Sequence, residues 1–432
     1  MDELGLTIVF LTILFLLLGS GVWVAISLIG VATIGMLLFT SRPVGDAMAT
    51  TIWGASSSWT LTALPLFIWM GEILFRTKLS ENLFKGLTPL LSKLPGGLLH
   101  VNIAGCTIFA AISGSSAATV ATVGKMSIPE LRSRKYPENM IIGTLAGAGT
   151  LGLLIPPSIT LIIYGVTVNE SIAQLFIAGV LPGLMLAALF MGYVAVWGLL
   201  RGERPEKTES KDGRIKDVLQ LIPVVLLICG VMGSIYAGIA TATEAAVLGV
   251  VGALLLSGLQ GSLTKSTFVQ ALLGATRTSA MIAFILAGST FLSLAMGFTG
   301  LPRTLAEWIG GLSLSPWMLI FALMVFYIIL GCFLDGISSV VLTMAVIEPL
   351  VRQAGFDMIW FGIFLMVVVE MAQITPPVGF NLFVLQGMTG KDMAFIARAA
   401  LPMFLLMIVA VAILSFFPEI ATYLPNAMSN RG

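Results

Sequence analysis

The stretch ISGSSAATVATVG (residues 112–124) interrupts an apolar region of roughly residues 95–131, and its reading decides the fold. That region is long enough for two membrane helices, yet Ser113-Gly114-Ser115-Ser116 breaks it in the middle. A second apolar region, roughly residues 316–350, is broken the same way by Asp335-Gly336-Ile337-Ser338-Ser339. Both read as re-entrant hairpins that enter and leave a membrane by one face. Irregular polar backbone is tolerated at membrane depth only inside protein or along a wet cavity, so both tips belong in the interior.

Composition supplies the membrane. Of 432 residues, 58% are hydrophobic and 10% charged, where soluble domains have about half and about a quarter. Such a surface cannot be covered with charge, which excludes a soluble enzyme. A formal charge of +1 gives no basic excess for phosphates, which excludes nucleic acid as a partner. Cys106, Cys229, Cys332 and the lone His100 show no metal-ligand spacing and no disulfide framework. His100 reads as a packed or surface histidine at the start of the first hairpin.

Ten crossings are expected in the lipid bilayer, at roughly 4–18, 21–39, 57–75, 137–168, 172–200, 218–239, 241–259, 267–297, 357–388 and 394–418. The Met-Asp-Glu start has no basic flank, and the first apolar run reads as a retained span rather than a signal peptide. Cytoplasmic loops collect Lys and Arg. With both termini outside, fifteen basic residues fall inside and four outside, and Lys125, Arg277 and Arg398 lie within helices. The charged stretch 201–217 is then a cytoplasmic linker between two halves.

The halves repeat. Gly114 precedes Gly336 by 222 positions, Pro129 precedes Pro349 by 220, and Pro156-Pro157 precedes Pro376-Pro377 by 220. Each half holds a Gly/Ser tip, a turn marked by proline and a helix interrupted at Pro-Pro. Five crossings separate the hairpins, so the second inserts from the opposite face. Inverted repeats with paired broken helices point to a secondary transporter whose site lies at the repeat interface. Proline removes a donor and clashes with the preceding turn, which frees carbonyl oxygens suited to a cation. The N–H groups at a Gly-Ser helix start can hold an anion without Lys or Arg.

The strings ISGSSAATVATVG (112–124), GLLIPPS (152–158), FLDGISS (333–339) and TPPVGFNLFVLQG (375–387) resemble the large membrane (M) subunit of tripartite ATP-independent periplasmic (TRAP) transporters, of the dicarboxylate-transporter M family. The resemblance implies an all-α membrane protein of the ion-transporter superfamily with an elevator mechanism. It implies sodium-coupled (Na+) import of a small organic anion across the bacterial inner membrane, beside a small membrane subunit and a periplasmic substrate-binding protein. Thr241-Ala242-Thr243-Glu244 lacks the proline common in the family, and Glu348 stands before Pro349 as an exposed loop-end charge.

The expected first site joins Ser113, Gly114, Ser115, Ser116 and Thr119 of the tip to Gly149, Thr150, Gly152, Pro156 and Pro157 of the break. The second joins Asp335, Gly336, Ser338 and Ser339 to Thr375, Pro376, Pro377, Gly379 and Asn381. Asp335 caps the second tip or approaches an ion. Glu72, Glu244 and Glu370 are embedded acids with Lys125, Arg277 and Arg398 as possible partners, and Glu72 and Glu370 read as structural. Trp53, Trp59, Trp308, Trp317 and Trp360 fall at expected helix ends. Residues 1–60 are expected to form scaffold helices and an interfacial arm, 61–168 the first transport half, and 169–265 further scaffold. The second transport half takes 266–390, and 391–432 is a C-terminal helix. A symporter of this fold working without a binding protein is the rival within transport. A tip-serine hydrolase lacks a base near Ser115.

Overall fold

The computed structural model describes residues 9, 12–14, 16–17, 20–57, 59–77, 86–201, 218–299, 315–332, 334–376 and 379–429. Most of the first expected span, the linker residues 202–217, Trp308 and Pro377 lie outside the described residues. The described secondary structure is helical throughout.

The first half contributes α1 (Val24–Phe39), α2 (Val44–Ser56), α3 (Ala63–Arg76), α4 (Leu99–Ser113), α5 (Ser116–Ser133), α6 (Glu138–Gly149), α7 (Ile159–Val168) and α8 (Ile172–Arg201). The second contributes α9 (Ile222–Tyr236), α10 (Ala242–Leu259), α11 (Lys265–Thr299), α12 (Pro316–Gly331), α13 (Gly336–Gln353), α14 (Met358–Gln373), α15 (Phe380–Thr389), α16 (Met393–Phe416) and α17 (Glu419–Ser429). Among them α8, α10, α11 and α16 are each long and apolar enough to cross a membrane alone. Of the shorter apolar helices, α4 and α12 are hairpin arms and α7 and α14 are halves of the interrupted helices, while α1 and α9 stand apart from both.

Both hairpins form. In the first, α4 ends at Gly114 in the left-handed conformation, with φ +56°, and α5 starts at Ser115, whose hydroxyl accepts from Ala118 N. Glycine enters that conformation without the Cβ clash other residues meet, so the tip turns in two residues. In the second, Asp335 takes the place of Ser115, 220 positions on, and its carboxylate accepts from Ile337 N at 3.2 Å. Both are N-caps, which satisfy donors that a helix start leaves open.

Both interrupted helices form too. α6 gives way to a 3-10 turn, Thr150–Leu153, and helix resumes only at Ile159 behind the cis Pro156-Pro157 bond. α14 ends at Gln373 and α15 begins at Phe380. The structure corrects the expected turns at Pro129 and Pro349, which lie inside α5 and α13. Glu348 is likewise helical and bonds Arg352 one turn on, so it is not a loop-end charge. Thr241 begins α10 with a capping box to Glu244, so the proline-free segment is a well-capped helix start. α17 follows the last expected span as a separate helix.

α1, α2 and α3 gather along α11, α10 packs on α3, and α9 packs on α10. The second hairpin and both breaks pack on α14, which the first hairpin meets at its tip and which is buried at every residue except Ile359, and α8 packs on α14, α16 and α17. Trp53 and Trp59 are exposed and Trp317 half exposed, whereas Trp360 is buried and donates its ring N–H to Leu414 O, so it is no belt residue.

Candidate transport site

Each tip lies against the break of its own half. A Cβ on Gly152 would come within 2.6 Å of Ser116 N, and one on Gly114 within 3.1 Å of Pro157 O. The first tip and break thus meet backbone to backbone, a distance only glycine allows. Gly149 faces Val120 of α5. In the second half Gln373 donates to Leu334 O at 3.4 Å, and the Cys332 thiol reaches Pro376 O at 3.5 Å. Gly379 folds back onto Gln373 O and Thr375 O, closing the second break on itself.

The halves are also interlocked. α7, beyond the first break, packs on α13 of the second hairpin, and α15, beyond the second break, packs on α5 of the first. A Cβ on Gly336 at the second tip would lie 2.6 Å from Leu153 of the first break and 3.3 Å from Val369 of α14. The second tip therefore reaches the first break as well as its own.

Among the tip hydroxyls, Ser113 and Thr119 bond each other at 2.8 Å, and Thr119 also donates to Ser115 O. Ser116 donates to Glu370, a bond between residues 254 positions apart. Ser338 and Ser339 are buried, and Ser339 Oγ has no hydrogen-bond partner among the described residues. The same holds for both side-chain polar atoms of Asn381, fully buried at the start of α15. A buried amide without partners costs a few kcal/mol, which a water, an ion or a ligand can offset.

Three expected site residues turn elsewhere. Thr150 donates to Gly147 O and approaches Met407 Sδ, and the Pro156 ring packs at Gly179 of α8. Thr375 donates to Met371 O in its own helix, one turn back. His100 is buried with Nε2 2.7 Å from Pro95 O, a packed residue.

The embedded acids find partners other than Lys125, Arg277 and Arg398. Glu72 pairs with Arg76 at 2.7 Å, and Glu244 serves the Thr241 cap. Glu370, read from sequence as structural, sits at the first tip. The signal was one acid within the otherwise uncharged run Met358–Ala372. Gln373 carried a weaker signal of the same kind.

Residues 11–420 match the family described as "Tripartite ATP-independent periplasmic transporter, DctM component". The chain belongs to this family. It is a transporter component rather than an enzyme, a multi-pass protein of the bacterial inner membrane. It works with a small membrane subunit and a periplasmic substrate-binding protein to move small organic acids. The C4-dicarboxylate TRAP transporter large permease protein DctM of Pseudomonas aeruginosa is 32% identical over 93% of this chain and 94% of its own. The ectoine/5-hydroxyectoine permease UehC of Ruegeria pomeroyi is 32% identical, covering 96% and 97%. The sialic acid permease SiaM of Vibrio cholerae is 29% identical, with the same coverage. The crystal structure of the Alcanivorax borkumensis YdaH transporter, described as having an unusual topology, superposes with TM-score 0.66 at 12% identity over 94% of this chain and 97% of that one. The last likeness concerns the fold alone.

Proposed function

We propose that this TRAP permease uses a sodium gradient to import a small carboxylate handed over by its binding protein, and that both hairpins move together as an elevator. The observation that carries the reading is the interlocking of tips and breaks: each tip meets its own break, and each half's short helix packs on the other's hairpin. Such a group can shift as one body without opening its own site.

The donor set suits a co-transported hard cation. The segments at residues 154–158 and 374–376 leave the helical ladder and free carbonyl oxygens, and tip hydroxyls lie beside them. The anion has the helix starts at Ser116 and Gly336, with Ser339 and Asn381 as uncommitted polar side chains. Three relatives named for a dicarboxylate, a sialic acid and ectoine share one chemical feature, the carboxylate. A site of backbone and small hydroxyls fits that shared group and leaves selection to the binding protein. Each net positive charge moved inward gains about 2.3 kcal/mol per 100 mV, so two or more sodium ions per monoanion drive accumulation. Both termini face the periplasm on the distribution of Lys and Arg.

The test is uptake of the solute retained by the partner binding protein, in vesicles holding the membrane complex. Accumulation is expected with sodium outside and not with potassium. Equal accumulation in potassium overturns the coupling.

A further inference from the structure

Glu370 is the only acid within α14, at a point where four parts of the molecule converge. Its Oε1 accepts from Ser116 Oγ of the first tip and from Leu153 N of the first break at 3.1 Å. Gly336 of the second tip packs on Leu153 and on Val369, the residue beside it. The side chain is 1% exposed, and Oε2 is buried with no hydrogen-bond partner among the described residues. Among the described residues no Lys or Arg bonds it.

One oxygen thus has the structural work and the other has none. A carboxylate kept only to brace the tip would be served by glutamine, which offers the same acceptor without a buried charge costing several kcal/mol. A carboxyl oxygen left without a partner beside an unwound segment is a ready ligand for a cation. The repeat sharpens the point: the position 220 residues before Glu370 is Thr150, whose hydroxyl turns back to Gly147 O at the end of α6. The acid serves one of the two sites.

We infer that Glu370 is a ligand to the sodium ion held at the first hairpin tip, with Oε1 positioning Ser116 and Leu153 and Oε2 facing the ion. The second half of the chain thereby completes the first half's site, and bound sodium ties the two repeats together. This inference rests on the sodium-driven reading above.

The test is the thermal stability of the purified complex with its small subunit, titrated with sodium chloride against choline chloride at constant ionic strength. E370Q keeps the Oε1 acceptor and removes the charge. It is expected to fold and to raise the half-saturating sodium concentration at least about tenfold, a loss of about 1.4 kcal/mol in ion binding. Unchanged sodium response in E370Q, with a normal wild-type response, overturns the role of Glu370 and leaves sodium coupling standing. A wild type that ignores sodium overturns the coupling itself. If E370Q fails to fold, E370D decides: the retracted charge must also weaken the sodium response, and a wild-type titration curve rejects the inference.

Discussion

Arg132 and Arg352, 220 positions apart, make the same bond in opposite halves. Each guanidinium donates to a carbonyl at the C-terminal end of the other half's short helix, Arg132 to Thr389 O at 3.5 Å and Arg352 to Val168 O at 3.0 Å. Each also holds an acid of its own half or its neighbour, Glu138 for Arg132, and Glu348 with Glu170 for Arg352. A cation at a helix C-terminus complements the partial negative charge there. The hairpin bases are thus pinned to the opposite repeat, as the tips are at the centre.

R352A removes one such pin. Because the pairs are partly exposed, the expected loss is about 1 kcal/mol rather than the larger cost of a buried pair. R132A is expected to lose no more, since its carbonyl bond is longer. The two ends of the molecule share no partners, so the double variant should equal the sum within about 0.5 kcal/mol. Thermal or denaturant unfolding of the purified complex measures all three, and an unchanged R352A would mean the latch contributes nothing.

Gly152 tests the backbone contact between tip and break. Its missing Cβ leaves room for Ser116 N at a distance no side chain permits. G152A is expected to destabilise by about 1–3 kcal/mol, the usual cost of overpacking, and G152V by more. Uptake should fall in the same order, with both proteins still in the membrane. Full transport by G152V would show that the tip need not touch the break.

Asn381 separates a ligand-binding amide from a structural one. Its unpartnered atoms cost stability, so N381L is expected to leave the fold equally stable or firmer. Uptake should nonetheless fall at least about tenfold, the worth of one good ligand hydrogen bond. Paired stability and transport assays on N381L read this. Loss of folding together with transport would assign Asn381 to the core.

What the sequence made legible was local chemistry. Gly114, Ser115 and Asp335 announce tight turns and helix starts, and Pro156-Pro157 announces a break, because glycine, capping residues and proline act on their own backbone. The apolar runs fixed the helices for the same reason. What escaped was set by partners far along the chain. Glu370 meets Ser116 across 254 positions, and nothing near either residue shows that. Glu348 read as a loose charge because its partner Arg352 lies on a helix that runs on through Pro349. Thr150 belonged to the broken segment as expected, but the 3-10 turn aims its hydroxyl back at Gly147. Trp360 looked like an interfacial residue until its N–H found Leu414 O in the interior.

The central claim is that the two hairpins are inverted copies whose open ends face opposite sides of the membrane. Ser133 and Gln353 are exposed ends of the two second arms, and Cys229 is an exposed native thiol, to be replaced first. In a C229S background, S133C and Q353C are treated in intact cells and in inverted vesicles with a membrane-impermeant thiol reagent. S133C should react only from the cytoplasmic side and Q353C only from the periplasmic side. Labelling of both from one side would contradict the inverted repeat and every step built on it.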